Sequence, residues 1–394
     1  MRDVIIKYLN QFDLDIRKKG DARFMDQKCT PDVVCFIADC IINTVSGDQT
    51  FSVKDIWNSP YFIKNTRAIF NKPWATDKRA QHEYDKFIQQ PLRMLGYAQI
   101  LEVTKKGTQN IYRVKNEDIL DYIAQRERNT YNFLYCYFEK VLTDSGFWHY
   151  FLEYKKNPNK DTFNDLKKRY TRFIIGHTSI NGAVEVHRIF PKILNVFAVE
   201  NQIPGSEKGR ISKYIFTFSD LMYNRKNWRD LNKEKNITRL QAETEEVDAV
   251  HQEAYNAYYV QKAIALIRKI QTESEVHDQW GNGEATQVHH IFSRAEFPEI
   301  AHYIENLILL TATQHNTKAH PSNKTQQINK DYQLTCLLAK ADTIEKSLKR
   351  FGDKYYRKES FIYVIKVGLS EDIDIALSFA DIKSRLIQIY NNAA

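Results

Sequence analysis

The chain has 394 residues, too many for one ordinary core and suited to two or three domains. Hydrophobic residues make up 43%, enough for packed globular structure, and 57 basic against 49 acidic residues give a net charge of +8. So mild an excess fits many soluble proteins, and its distribution along the chain says more than its size. The five cysteines (29, 35, 40, 136 and 336) form no CxxC pair, which argues against a knuckle-type zinc site and for free thiols in a reducing compartment. No run approaches the ~20 apolar residues of a membrane helix. Met1–Lys7 lacks the apolar core of a signal peptide. The expectation is a cytoplasmic, soluble protein with no membrane partner.

Thr30-Pro31 is a good helix start, and residues 30–45 run apolar on one face through Val33, Val34, Phe36, Ile37, Cys40 and Ile41. Phe51–Val53 reads as a short strand and Val53–Trp57 as the start of a second helix. Residues 77–95 read as a long helix with Phe87, Ile88, Leu92 and Leu95 inward and a stop at Gly96. Pro91 predicts a kink or break there. Ala98–Thr104 and Thr108–Val114 are β-rich runs joined by Lys105-Lys106-Gly107, a hairpin turn signal. Helices followed by a basic-tipped hairpin resemble a winged helix-turn-helix. Residues 60–115 hold eleven Lys/Arg and four acids, the excess that phosphate contact needs, with Lys78, Arg79, Lys105 and Lys106 as candidate DNA contacts. The alternative is a structural winged helix with a solvated charged face.

Residues 126–200 read as mostly helical, with Tyr131–Phe138 and Phe147–Tyr154 as core. Residues 205–239 carry nine Lys/Arg and four acids, and Gly205 and Gly209 around Lys208 suggest an exposed turn. Lys208, Arg210, Lys213, Asn224, Arg225, Asn227 and Arg229 are candidate DNA contacts here, since Arg and Asn can read guanine and adenine edges. A charged surface loop is the alternative. Residues 243–272 form an amphipathic helix, broken by Trp280–Gly283; residues 326–351 and about 371–390 also read as helices.

The informative stretch lies between Gly283 and the helix at 326–351. His289-His290 is followed by fifteen residues, then the apolar run Asn306–Thr311, then His315-Asn316. Glu284–His289 reads as a strand with Val288 inward, Ile291–Glu305 as a loop and Asn306–Thr311 as a second strand. Thr313 can then N-cap a helix carrying His315, Asn316 and Lys318. Adjacent strand residues face opposite ways, so the two imidazoles converge only where strand gives way to loop.

This order resembles the HNH (ββα-metal) nuclease motif, over roughly residues 284–320. The resemblance implies that His289 binds a divalent metal, His290 is the general base, Asn306 braces the loop, and His315, nine residues later, is a second ligand. His320 follows His315 by five residues, about 140° round an α-helix. Pro321 disfavours helical geometry at His320, so the helix could end there and let it swing back as a third ligand. Lys318 is a candidate phosphate contact. The ion expected is Mg²⁺, with Mn²⁺, Ni²⁺ or Zn²⁺ suited to imidazole ligands. Water attack would leave a 5′-phosphate and a 3′-hydroxyl.

Three stretches, Arg188–Asn195 (with Arg188 a further candidate DNA contact), Leu221–Asp230 and Ala319–Asn323, look similar to bacterial Type II restriction endonucleases with an HNH site. That implies double-strand cleavage of DNA, a companion DNA methyltransferase acting separately, and possible pairing of two chains on DNA. Nicking or homing-type HNH enzymes and a non-enzymatic winged-helix regulator are the alternatives. Glu153-Tyr-Lys155 could be half of a PD-(D/E)xK site, but no Asp partner stands out. The architecture expected is α+β and multidomain: a winged-helix domain at 1–125, a helical middle domain at 126–240 and an HNH nuclease domain with flanking helices at 241–394.

Overall fold

The computed structural model describes residues 1–70, 72, 75–76, 81–223, 245–320 and 329–393. The protein is α+β, mostly helical, with three two-stranded antiparallel sheets among the described residues. Among these residues no helix is long and apolar enough to cross a membrane, and the five cysteines are free and buried. The chain forms two compact units, Arg2–Glu245 and Glu246–Ala394.

The first unit is built round the helix Pro31–Thr44. The proline takes the first helical position, where its missing N–H costs nothing. The sequence marks one apolar face, yet the helix is buried from Pro31 to Ile41, Asp32 and Asp39 included. It is enclosed because the helices Gln81–Tyr97, Glu117–Gln125 and Glu127–Asp144 pack against it. The last two lie on either side of residue 125, so the segments divided there in the sequence share one compact unit. Helix Gln81–Tyr97 runs through Pro91 without a break, held by buried Phe87, Ile88, Leu92 and Leu95.

Strand β1 (Leu101–Lys106) pairs with β2 (Gln109–Val114) in register from Leu101↔Val114 to Lys106↔Gln109. Gly107, with φ +63°, opens the two-residue turn, a position that tight hairpins reserve for glycine. Phe51 adds one bridge to Tyr112, with both backbone N–H···O bonds at 2.8 Å. A second hairpin, β3 (Pro204–Glu207) and β4 (Arg210–Ile215), stands where the sequence suggests only an exposed turn. Lys208 and Gly209 both have positive φ (49° and 80°), as a primed hairpin turn requires.

In the second unit, helix Glu245–Ile270 precedes β5 (Ala285–His290), which pairs with β6 (Leu307–Thr311) from His290↔Leu307 to Gln287↔Leu310. All five residues of β6 are buried, in a core with Ile267, Phe292, Leu337, Ile344, Phe361 and Ile365. Helices Lys330–Phe351, Lys358–Leu369 and Phe379–Ala393 supply much of that core. Gly368 is needed for the packing: a Cβ there would come within 2.4 Å of the Phe292 ring. Glu275 ties β6 to the next helix. Its Oε1 accepts from Leu309 N at 2.9 Å, and its carboxylate pairs with buried Lys340 at 2.8 Å.

Candidate metal centre

Half-buried Val288 packs against the core as expected, and on the opposite face of the strand His289 is the more deeply buried histidine of the pair, at 3% exposure. Its ring centroid lies 5.4 Å from that of His315 and 4.9 Å from that of His320, and the last two are 4.8 Å apart. One nitrogen from each of the three imidazoles lies within 4.8 Å of the others, so the triad could hold a metal ion. Burial, followed by the neighbouring imidazoles of His320, His315 and His290, holds His289 well below the ordinary imidazole range. It is therefore neutral near pH 7, the form whose lone pair can bind a cation.

His320 reaches the triad by a route the sequence does not announce. Residues Gln314–Ala319 form a π-helical turn rather than an α-helix. His320 N donates to His315 O at 3.2 Å, an i→i+5 closure. That closure sets residue i+5 over residue i, where an α-helix would place it about 140° away. His320 itself is extended (φ −117°, ψ 99°), as a residue before proline prefers. Ala319, at i+4, is 1% exposed and belongs to the hydrophobic core.

The turn is pinned by Gln314, fully buried beside His315. Gln314 Oε1 accepts from Ser274 Oγ at 2.6 Å and from Thr311 N at 3.0 Å. Its Nε2 donates to Val276 O and to Asp278 Oδ1, both at 2.8 Å. The cap expected of Thr313 is made instead by Thr311, whose Oγ1 accepts from Gln314 N at 3.2 Å. Thr313 lies in helical backbone and makes no side-chain cap. Gln314, Asp278 and Ser274 went unmarked in the sequence because buried amides and hydroxyls carry no spacing signature. Only the adjacency of Gln314 to His315 hints at it. His315 Nδ1 lies 2.9 Å from Asn316 Oδ1, an acceptor that favours a proton on Nδ1 and a lone pair on Nε2.

His290 turns away to the loop, with Nε2 3.0 Å from Ala301 O. A carbonyl only accepts, so Nε2 carries the proton and Nδ1 the lone pair. Burial holds this imidazole below its ordinary value, against the opposing pull of the Ala301 hydrogen bond. Asn306, fully buried, braces the same loop. Its Oδ1 accepts from Phe292 N at 2.9 Å, and its Nδ2 donates to Phe292 O at 3.1 Å and Ile300 O at 3.3 Å.

The structure thus brings together His289, His315 and His320, and sets His290 at the end of β5 and Asn306 just before β6, at the two ends of the connecting loop. Lys318 is half-buried on the π-turn between two of the imidazoles. The other candidate contacts lie in the first unit. Lys105 and Lys106 are exposed at the end of β1, Arg188 is exposed on the helix Ala183–Asn201, and Lys208, Arg210 and Lys213 are exposed on the β3–β4 hairpin. Lys78, Arg79, Asn224, Arg225, Asn227 and Arg229 lie outside the described residues. No family model, curated protein or solved structure matches this chain.

Proposed function

We propose that the second unit is a metal-dependent endonuclease of the HNH type that hydrolyses phosphodiester bonds in double-stranded DNA. The observation that carries this reading is the convergence of three imidazoles, buried His289 and His320 and half-buried His315, with a fourth, His290, next in sequence to the first, whose tautomer leaves Nδ1 as a base. His289, His315 and His320 would hold the ion. An all-nitrogen set suits Mn²⁺, Ni²⁺ or Zn²⁺ better than Mg²⁺, which prefers oxygen ligands and retained waters. When bound, such an ion supplies positive charge to the phosphate and to the departing 3′ oxygen.

His290 Nδ1 takes a proton from water as the water oxygen attacks phosphorus. The P–O3′ bond then breaks and the departing 3′ oxygen takes a proton from solvent water, giving a 5′-phosphate and a 3′-hydroxyl, while His290 returns its proton to solvent. The depressed affinity of His290 for protons keeps it in the basic form at neutral pH. Asn306 holds the loop carrying Ala301, and so fixes which nitrogen of His290 is available.

For the first unit we read residues 1–125 as a winged helix that contacts DNA. The β1–β2 hairpin, its exposed Lys105 and Lys106 and the extra bridge from Phe51 support this. Neutralising those lysines should weaken DNA binding and flatten its salt dependence. The restriction role, with a separate methyltransferase and pairing of two chains, rests on sequence stretches alone.

The test is plasmid cleavage by the full-length protein with EDTA, then with Mg²⁺, Mn²⁺, Ni²⁺ or Zn²⁺ restored, beside the His290→Ala variant. Cleavage should stop in chelator, return with an added ion, and fall about 10²–10⁴-fold in the variant. Full cleavage in chelator, or near-normal turnover by His290→Ala, would reject the reading.

A further inference from the structure

The loop between helix Glu245–Ile270 and β5 carries Trp280, whose side chain is 39% exposed. Its backbone is held from both sides. Thr311 Oγ1 donates to Trp280 O at 3.0 Å, and Trp280 N donates to Asp278 Oδ1 at 2.9 Å. That same Asp278 oxygen accepts from Gln314 Nε2, the amide that pins the π-turn. The next residue, Gly281, is closely packed: a Cβ would lie 3.0 Å from Val276 O and 3.2 Å from Gln314 Nε2, so either neighbour would have to give by a few tenths of an ångström. Lys318, on the π-turn between His315 and His320, places Nζ 4.3 Å from the indole centroid. One polar network therefore positions a triad imidazole, an exposed indole and an ammonium group.

These groups suit a nucleotide. An aromatic face stacks on any base, and an ammonium meets any phosphate, so the pair can grip a strand without reading its sequence. Resting on the nuclease reading above, we propose that Trp280 and Lys318 form the lip that grips the strand to be cut. The indole stacks on a base unstacked beside the scissile phosphate, and Lys318 leaves the indole to contact an adjacent phosphate. Trp280 would be a binding residue, and Gln314 a positioning residue for both lip and triad.

The test uses full-length His290→Ala protein with Mn²⁺, and two fluorescein-labelled probes: a short duplex and a single-stranded oligo-dT. Trp280→Ala in that background should bind both about tenfold more weakly, the scale of one stacked base. Trp280→Phe should retain most of the affinity. The emission of Trp280, taken as the difference between the parent and Trp280→Phe, should be quenched by either probe. Lys318→Ala should lower the salt slope by about one phosphate. Calorimetric Mn²⁺ binding should be unchanged in Trp280→Ala, because the triad is untouched. Equal DNA affinity of Trp280→Ala and its parent, or no quenching, overturns the lip and leaves the nuclease reading standing. Joint loss of Mn²⁺ and DNA binding in Trp280→Ala also overturns it, by making the indole a structural prop. If the parent binds neither probe and the wild-type protein cuts no plasmid, both readings fall.

Discussion

The amide of His320 donates to the carbonyl of His315 across five residues, at 3.2 Å. That single π-type bond puts two imidazoles of the triad 4.8 Å apart, ring centre to ring centre. An α-helical turn would have offered the i+4 position instead, and that position is Ala319, buried in the core.

The register of the turn is therefore testable by moving the histidine. In the double change Ala319→His, His320→Ala, the imidazole takes the α-helical spacing. We expect no recovery of metal binding and a loss of stability, because the new ring enters the apolar core. His320→Ala alone should lower metal affinity by more than the ~10–100-fold typical of an outer-sphere partner. Calorimetry with Mn²⁺ or Zn²⁺ reads both, and wild-type affinity in the double variant would mean that the turn is α-helical in solution.

Asn306 makes its three hydrogen bonds with no exposure to water. Asn306→Ala leaves Phe292 N and the Phe292 and Ile300 carbonyls to find other partners. A cost of about 2–4 kcal/mol follows from buried groups left unpaired. Asn306→Asp can still accept from Phe292 N but cannot donate while ionised, so it should be little better. Denaturant titration of the full chain, with the transition of the second unit followed separately, gives the values. A loss below about 0.5 kcal/mol for both would show that the loop does not depend on this amide.

The buried pair of Lys340 and Glu275 invites a different comparison. Lys340 is fully buried, and burial, opposed by Glu275, lowers its proton affinity. Lys340→Met strands the carboxylate and should cost about 3–5 kcal/mol. The double change Lys340→Met, Glu275→Leu removes the charge but also strips Leu309 N of its acceptor. It should recover only part of the loss, whereas an isolated buried pair would recover nearly all. Complete recovery in the thermal midpoint would mean that the Leu309 hydrogen bond contributes little.

His302 supplies the pH dependence. Its Nδ1 is buried and has no hydrogen-bond partner among the described residues, and its ring lies near those of Tyr259 and Tyr303. Burial lowers its pKa from 6.5 to about 4. Between those values the unfolded chain holds a proton at this site that the folded chain does not. The stability contribution is complete above pH 6.5 and is lost as pH falls towards 4, by up to about 1.4 kcal/mol per pH unit. His289 and His290 shift in the same direction, so the informative measurement is the difference between the wild type and His302→Phe. Stability profiles of equal slope from pH 6.5 to 4 would remove His302 from the account.

Much of the site was legible in the chain itself. The order and spacing of His289, His290, Asn306 and His315, the apolar run of β6 and the glycine of the β1–β2 turn are local features. Each follows from strand alternation, turn sterics or the chemistry of one side chain. The sequence also marked the helices at 31–44, 245–270 and 330–351 to within a few residues, because apolar periodicity is a local signal. What only the tertiary structure decided depends on partners distant in sequence. The π-turn exists where Gln314 is tied to Ser274, Val276 and Asp278, 36 to 40 residues earlier. Without those bonds the default for such a segment is an α-helix, and His320 would face elsewhere. The tautomer of His290 was likewise hidden, since it depends on the Ala301 carbonyl eleven residues away. The pairing of Glu275 with Lys340 spans 65 residues and has no periodicity to betray it. Local patterning names the chemical groups, while their convergence follows from long-range hydrogen bonds that form only once the core has closed.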